Sequence, residues 1–185
     1  MKLDPNDPFV LDTRALSRGA GNQKQISRTV QAPADLGSGV MNVPQGSDIV
    51  LDLRLEAVMD GVLVSGTASI DLDGECARCL KEIHDEIDVD VTEFYLYEAP
   101  KEQNEDADEL VLTDDMIDLD PVLRDAVVSA IPFQPLCSDD CPGMCPDCGA
   151  RMADEPDHTH EAKIDPRWAG LSGHLSGLQA GDDAK

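Results

Sequence analysis

Six cysteines occur in this chain as three close pairs, and a His-x-His follows the last pair. The eight residues are Cys76, Cys79, Cys137, Cys141, Cys145, Cys148, His158 and His160. Two ligands from one tight turn supply half of the tetrahedral shell that zinc takes in structural sites. Four such pairs can therefore hold two zinc ions, and metal bound in this way clamps distant parts of a chain together.

The compartment decides whether close cysteines favour metal or disulfides. No apolar run approaches the roughly 20 residues that span a bilayer, and the first residues lack the apolar stretch of a secretory signal. We therefore expect a cytoplasmic protein that does not interact with membranes. Because the cytosol is reducing, its thiols are expected to bind metal rather than to form disulfides.

The charge is large, negative and unevenly distributed. The chain carries −24 in all, but residues 1–45 have a net charge of +1, so the other 140 residues carry −25. Such a polyanion is repelled by phosphate backbones over about 8–10 Å at physiological salt. Broad nucleic-acid binding is thereby disfavoured. The charge is compatible with a basic protein partner, or with nucleic-acid contact through one local basic patch. It could also serve only to keep the protein soluble.

The hydrophobic pattern predicts an α+β fold. Alternating apolar residues indicate strands at 49–57, 62–72 and 82–97, with a hairpin turn at Asp60-Gly61 where glycine would supply a positive φ. A further strand is expected at Gln25–Ala32. We expect these strands to form an antiparallel meander or a partly closed barrel.

One main helix is expected to pack across the sheet. Asp120-Pro121 is typical of an N-cap followed by proline at the first helical position, and Pro132 ends the segment. Its apolar face is predicted to contain Leu119, Val122, Leu123, Ala126, Val127 and Ala130.

These elements define the expected domain organisation. Residues 1–25 are predicted to form a polar arm with a short helical turn near Thr13–Ser17, and residues 26–171 a single domain with a Cys-rich zinc-binding segment at 136–160. Residues 172–185 are Gly- and Ser-containing and are predicted to form a flexible tail. The acidic stretch Glu98–Thr113 is expected to be a solvated loop.

The helix length suggests how the metal ligands are grouped. A helix of about eleven residues spans roughly 16 Å, enough to carry the chain across the sheet to the turn between the second and third strands. We therefore predict one zinc bound by Cys76, Cys79, Cys137 and Cys141. A second would be bound by Cys145, Cys148, His158 and His160.

Three alternatives stay open. A single zinc could use Cys76, Cys79, Cys145 and Cys148, because two C-x2-C turns form a common ribbon site. Cys76 and Cys79 could instead be a redox dithiol, although that chemistry favours a helix N-terminus over a turn between strands. His158 and His160 could also be ordinary surface residues.

Enzymatic motifs are not evident in the sequence. It contains no phosphate-binding loop, no Gly-x-Ser-x-Gly and no His-Glu-x-x-His, and it suggests no small-molecule substrate. A zinc with four protein ligands also has no open position for a substrate. We therefore expect a protein that is not an enzyme.

The motifs resemble those of the YceD family, which is named for large ribosomal RNA subunit accumulation. The resemblance runs from about Pro8 to Leu171 and is most specific at Cys76–Leu80, Leu119–Pro132 and Leu136–Gly149. Family members that lack the later cysteine pair still carry the first pair and the Cys137/Cys141 position, which supports the first ligand set. Many relatives have Cys-x-Cys where this chain has His158-Thr159-His160.

The resemblance implies a role in 23S ribosomal RNA accumulation and large-subunit biogenesis, with a ribosomal protein or an rRNA precursor as partner. If RNA is contacted, Arg78 and Lys81 beside the first zinc turn are the candidate residues. Both cations could instead offset the negative charge of a zinc held by four thiolates. A general acidic protein-binding module unrelated to ribosomes is the remaining alternative.

Overall fold

Three long antiparallel strands form the centre of the molecule. The computed structural model describes residues 3–16, 19–99 and 109–160. In it β4 (Asp48–Ala57), β5 (Gly61–Glu75) and β6 (Glu82–Leu96) follow one another as a meander. Along each strand, apolar residues alternate with polar ones, so one face of the sheet is buried and the other faces solvent. The predicted meander is confirmed.

Three shorter pairings extend this sheet. The strand β2 (Gln23–Gln31) pairs with β4, β3 (Met41–Asn42) pairs with β5, and β7 (Leu110–Val111) runs parallel to the end of β6. The order is β2-β4-β5-β6-β7, and over the described residues the ends of this path do not meet. The fold is α+β with an open sheet rather than a barrel.

A second, two-stranded sheet corrects the prediction for the N-terminus. The strand β1 (Val10–Asp12) pairs antiparallel with β8 (Met116–Asp118), and a short 3-10 helix follows at Arg14–Leu16. Phe9, Leu11 and Leu16 are buried in the core. The helical turn was predicted, but residues 1–25 are not merely a polar arm. Their strand was missed because its partner lies about a hundred residues away in sequence.

The helix α1 (Asp120–Ala130) covers the sheet from one side. Val122, Leu123 and Val127 are buried in the same core as the strands, and the helix packs against β6. Its N-cap is Leu119 rather than the predicted Asp120, and the Asp118 carboxylate accepts a hydrogen bond from the Asp120 N–H at 3.1 Å.

Displacing Asp120 into the first turn frees its side chain for an ion pair. The Asp120 carboxylate accepts a hydrogen bond from Nε of Arg124, one turn later, at 2.9 Å. At the other end the helix stops before Ile131 and Pro132, as predicted.

The turn between β4 and β5 is where it was predicted, but for a different reason. Gly61 does not have a positive φ. A Cβ added there would lie 2.1 Å from the backbone oxygen of Tyr95 on β6. Glycine is therefore required by close backbone approach rather than by turn conformation.

The chain divides into two compact units, Met1–Cys141 and Pro142–Lys185. This division differs from the single domain predicted for 26–171. Of the acidic stretch 98–113, the described part includes β7, whereas 100–108 lies outside the described residues, as does the predicted tail 172–185. Among the helices that the structure describes, none is long and apolar enough to cross a membrane.

Candidate metal centres

The first candidate centre begins at the turn that joins β5 to β6. The Cys76 N–H donates to the Lys81 carbonyl at 2.8 Å, and the Leu80 N–H donates to the Cys76 carbonyl at 2.9 Å. The Arg78 N–H points to the Cys76 sulfur at 3.4 Å. The tight turn thus holds two thiols on one side and directs a backbone dipole at one of them.

The chain that leaves α1 docks on this turn. The Pro135 carbonyl accepts a hydrogen bond from the Ala77 N–H at 2.8 Å, and the Cys141 carbonyl accepts one from the Arg78 guanidinium at 3.0 Å. A local turn, closed by the Cys141 N–H and the Ser138 carbonyl, follows. These contacts bring the second cysteine pair to the first.

The four sulfurs have the spacing of a tetrahedral shell. Cys76 Sγ lies 3.7 Å from Cys141 Sγ, and Cys79 Sγ lies 3.6 Å from Cys137 Sγ. Two thiolates bound to one tetrahedral zinc at about 2.3 Å are about 3.8 Å apart. Three of the four side chains are buried and Cys137 is exposed. The cluster can hold a metal ion.

Backbone groups tune the thiols of this cluster. Burial alone would raise the pKa of Cys76, but N–H groups of Cys137, Arg78 and Cys79 lower that pKa to about 6 by stabilising the thiolate. Side-chain hydrogen bonds with the sulfurs of Cys141 and Cys79 raise the pKa of the Cys137 thiol to about 12. Four sulfurs this close cannot all carry charge without a cation between them.

The second candidate centre repeats the geometry of the first turn. The Cys145 N–H donates to the Ala150 carbonyl at 2.8 Å, and the Gly149 N–H donates to the Cys145 carbonyl at 2.9 Å. The residue after the second cysteine has a left-handed backbone in both turns, with φ 54° at Leu80 and φ 76° at Gly149. Both cysteine pairs are therefore held by the same hydrogen-bonding pattern.

Two imidazoles complete the second cluster. Nε2 of His158 lies 3.1 Å and Nε2 of His160 lies 3.3 Å from Cys148 Sγ, and the two nitrogens are 2.8 Å apart. The carboxylate of Glu155 meets Nδ1 of His158 at 3.0 Å. A carboxylate in this place fixes the ring orientation of a metal-binding histidine and leaves Nε2 for the ion.

The thiol of Cys145 is acidified by its own turn. N–H groups of Cys148 and Asp147 lower the pKa of Cys145 to about 6. The nearby Cys145 sulfur raises the pKa of His158, since a thiolate stabilises the imidazolium.

The structure brings together the two predicted ligand sets. Cys76, Cys79, Cys137 and Cys141 form one group, and Cys145, Cys148, His158 and His160 form the other, each with its ligand atoms within 4.8 Å of one another. Each pair thus finds its complement within its own unit, in contrast to the alternative that joined Cys76 and Cys79 to Cys145 and Cys148.

The surroundings of the first centre include residues that the sequence analysis did not single out. Arg78 and Lys81 are exposed beside the turn, as expected of contact candidates. The side chain of Leu80 is 51% exposed, and that of Phe133, just before Pro135, is 97% exposed. The left-handed Leu80 could have been found from the sequence, because it occupies the place of Gly149 in the repeated C-x2-C turn.

Comparisons with known proteins show which family the chain is similar to. The family model described as large ribosomal RNA subunit accumulation protein YceD matches residues 64–173. An uncharacterised protein of Mycobacterium tuberculosis is 42% identical over 166 residues, covering 89% of this chain and 80% of its own. One from Mycobacterium leprae is 37% identical over 171 residues, covering 91% and 78%. No solved structure matches. The chain belongs to the YceD family.

Proposed function

We propose that this chain is a non-enzymatic, zinc-binding factor of the cytoplasm. It would support 23S rRNA accumulation and large-subunit biogenesis by binding a large-subunit ribosomal protein or an rRNA precursor. The main observation in support is that four potential ligands of the first cluster come together from segments that are distant in sequence. The family description supplies the link to the large ribosomal RNA subunit.

Zinc is the metal that suits these donors best. One cluster offers four thiols and the other two thiols and two imidazoles, which are the ligand sets of structural zinc sites. All six cysteines are free of disulfides. Thiolate and imidazole donors disfavour magnesium and calcium, which prefer oxygen ligands.

Bound zinc would join two elements that also meet through hydrogen bonds. In the first cluster, the tip of the β5–β6 hairpin supplies two ligands and the segment after α1 supplies the other two. Because metal binding free energy becomes folding free energy, zinc would fix the helix exit against the hairpin.

The buried sulfurs argue against the redox alternative. A dithiol catalyst needs an accessible thiolate, and the low pKa of Cys76 would otherwise suit that chemistry. However, Cys76 and Cys79 are both buried and face two further cysteines. Shells closed by four protein ligands also leave no position for a substrate, which favours a role without catalysis.

Charge favours a basic protein over RNA as the partner. The chain carries −24, so a positively charged ribosomal protein is attracted and a phosphate backbone is repelled. The RNA alternative depends on Arg78 and Lys81, two exposed cations that can meet phosphates.

Pull-down from ribosomal lysate tests the proposal. Tagged protein is expected to retain large-subunit precursors or proteins, and nuclease treatment should leave a direct protein contact intact. Replacing the exposed Lys81 with glutamate, while keeping Arg78 for its hydrogen bond to the Cys141 carbonyl, should weaken retention only if RNA is the direct partner. Retention of no large-subunit component would contradict the proposed function.

A further inference from the structure

Among the described residues, the strand β6 has a strand partner along only a short part of one of its two sides. It pairs with β5 along its whole length, from Glu82 opposite Glu75 to Leu96 opposite Gly61. On its other side, within the described ranges, only Tyr95 and Leu96 are paired, with β7. The outward N–H and C=O groups of residues 82–94 are thus a template for one more strand.

The solvent face beside this edge is strongly acidic. Its carboxylates on β5 and β6 are Asp71, Asp73, Glu75, Glu82, Glu86, Asp88 and Asp90. The one cationic group among them on these two strands is His84, which is bonded to Asp73 at 2.7 Å. A chain that runs along the edge would therefore meet negative charge along most of its length.

Part of this charge is arranged at a cost to folding. Asp71 lies directly opposite Glu86, and Glu75 lies directly opposite Glu82. Like charges in such pairs destabilise a sheet. Charges on an edge strand can protect it from aggregation, but that explanation does not require the acidic residues of β5, which is an inner strand. A positively charged occupant would offset the repulsion.

On the buried side of the β6 edge, a groove with apolar lining is available to a bound chain. An open groove of about 320 Å³ lies between β6 and α1. Its lining combines carboxylates of Glu93 and Asp125 with the apolar Val122 and Ala126. Ile87 is partly buried on the same face of β6.

We propose that β6 accepts an extended, lysine- or arginine-rich segment of a partner protein as an added strand along residues 82–94. Backbone hydrogen bonds would hold the segment, as in other strand-addition complexes. Alternate basic side chains would meet Glu86, Asp88 and Asp90, and the side chains between them would lie toward Ile87 and the groove. This inference rests on the proposed function for the identity of the partner as a basic large-subunit protein.

A synthetic peptide of alternating lysine and valine tests the charge requirement. Its Kd for the full chain is measured by fluorescence anisotropy at physiological salt. Replacing Glu86 and Asp90 with lysine should weaken binding at least about tenfold, since two attractive contacts become repulsive. The matched control replaces Asp48 and Asp52 with lysine. Both residues are exposed on β4, on the same solvent face of the sheet as Glu86 and Asp90. That strand lies two strand spacings, about 10 Å, from β6, so screening should limit its effect to about threefold.

A second peptide tests the strand geometry. Methylating alternate backbone nitrogens removes the donors that pair with β6, so one of the two methylation patterns should abolish binding by the parent protein. Hydrogen exchange at residues 82–94 should slow when the unmodified peptide binds. Equal losses in the two lysine variants, or binding insensitive to methylation, would overturn the inference, as would an RNA oligonucleotide that displaces the peptide.

The outcome can be separated from that of the proposed function. The Glu86/Asp90 variant should remain folded, because a lysine opposite Asp71 replaces repulsion with attraction. If the parent retains large-subunit components but binds no peptide, the edge is not the docking site and the proposed function stands. If the peptide binds as described but no large-subunit component is retained, the proposed function fails instead.

Discussion

At the scale of single residues, the two C-x2-C turns differ in the residue that follows the second cysteine. Gly149 adopts its left-handed backbone freely, whereas Leu80 adopts the equivalent conformation with a side chain that must bear the strain. Strain of this kind persists only where the surroundings impose it. In the first turn, two backbone hydrogen bonds impose this conformation. The Cys76 N–H donates to the Lys81 carbonyl, and the Leu80 N–H donates to the Cys76 carbonyl.

Substitutions of Leu80 test this strain. Leu80→Gly should stay within about 1 kcal/mol of the parent in free energy of unfolding, because lost side-chain burial is offset by relieved strain. Leu80→Val should be less stable by about 1 kcal/mol, since β-branched residues tolerate positive φ poorly. Urea unfolding of the zinc-loaded protein measures both. A larger loss in the glycine variant than in the valine variant would contradict the strain argument.

His84 provides a test on the acidic face. Its hydrogen bond to the Asp73 carboxylate raises the pKa of His84 above 6.5. At low pH, where His84 is protonated in both the folded and the unfolded protein, its interaction with Asp73 therefore stabilises the fold. This contribution to the free energy of unfolding is lost as the pH rises through the pKa of His84 in the folded protein. An NMR titration should show that Asp73→Asn lowers the pKa of His84. Asp71→Asn, which removes a carboxylate on the same strand, should lower it less, and equal shifts would count against the direct bond.

The two groups of potential ligands could be identified from the sequence because metal geometry imposes local spacing. Cysteines two or three residues apart in a turn leave a pattern that any tetrahedral site needs, and the pairing of Cys76/Cys79 with Cys137/Cys141 followed from the helix length. The left-handed Leu80 and the exposed Phe133 were missed, since neither belongs to the ligand pattern.

At the scale of elements, the β4–β5–β6 meander depends on close backbone contact at Gly61. A Cβ at this position would lie 2.1 Å from the Tyr95 oxygen and 2.9 Å from its carbonyl carbon. Strand β5 cannot approach β6 in this register with any larger residue at the start.

The variant Gly61→Ala should therefore lose at least about 2 kcal/mol in free energy of unfolding, because backbone atoms must move apart. The control is Gly39→Ala, where a Cβ would meet nothing within 4 Å and φ is not positive. That variant should be unchanged or slightly more stable. Thermal unfolding compares the two variants with the parent. Similar melting temperatures for Gly61→Ala and Gly39→Ala would contradict the argument, because they would show that β5 and β6 can move apart at little cost.

Elements with local patterns were predicted, and those with distant partners were not. Alternating apolar residues located β4, β5 and β6, and helical spacing located α1. The β1–β8 pair was missed because each strand is only three residues long and gains its stability from the other. The N-cap was misplaced by one residue because Asp118 can serve the helix start as well as Asp120.

At the scale of the whole molecule, two units each have a cluster of four potential ligands. The first lies in Met1–Cys141 and the second in Pro142–Lys185. The sequence predicted both ligand sets but placed them in one domain, because motif spacing shows which residues converge and not how segments divide into compact units. If zinc organises the two units separately, loss of one ion should leave the other in place.

Zinc content per chain tests the central claim most directly. Native mass spectrometry of reduced protein should find two zinc ions in the parent and in His84→Ala, which changes a histidine outside both clusters. Cys79→Ser and Cys148→Ser should each retain one. In Cys79→Ser the first unit should also unfold more readily, because metal binding contributes to folding. One ion in the parent, or loss of both ions in either serine variant, would contradict two independent zinc centres.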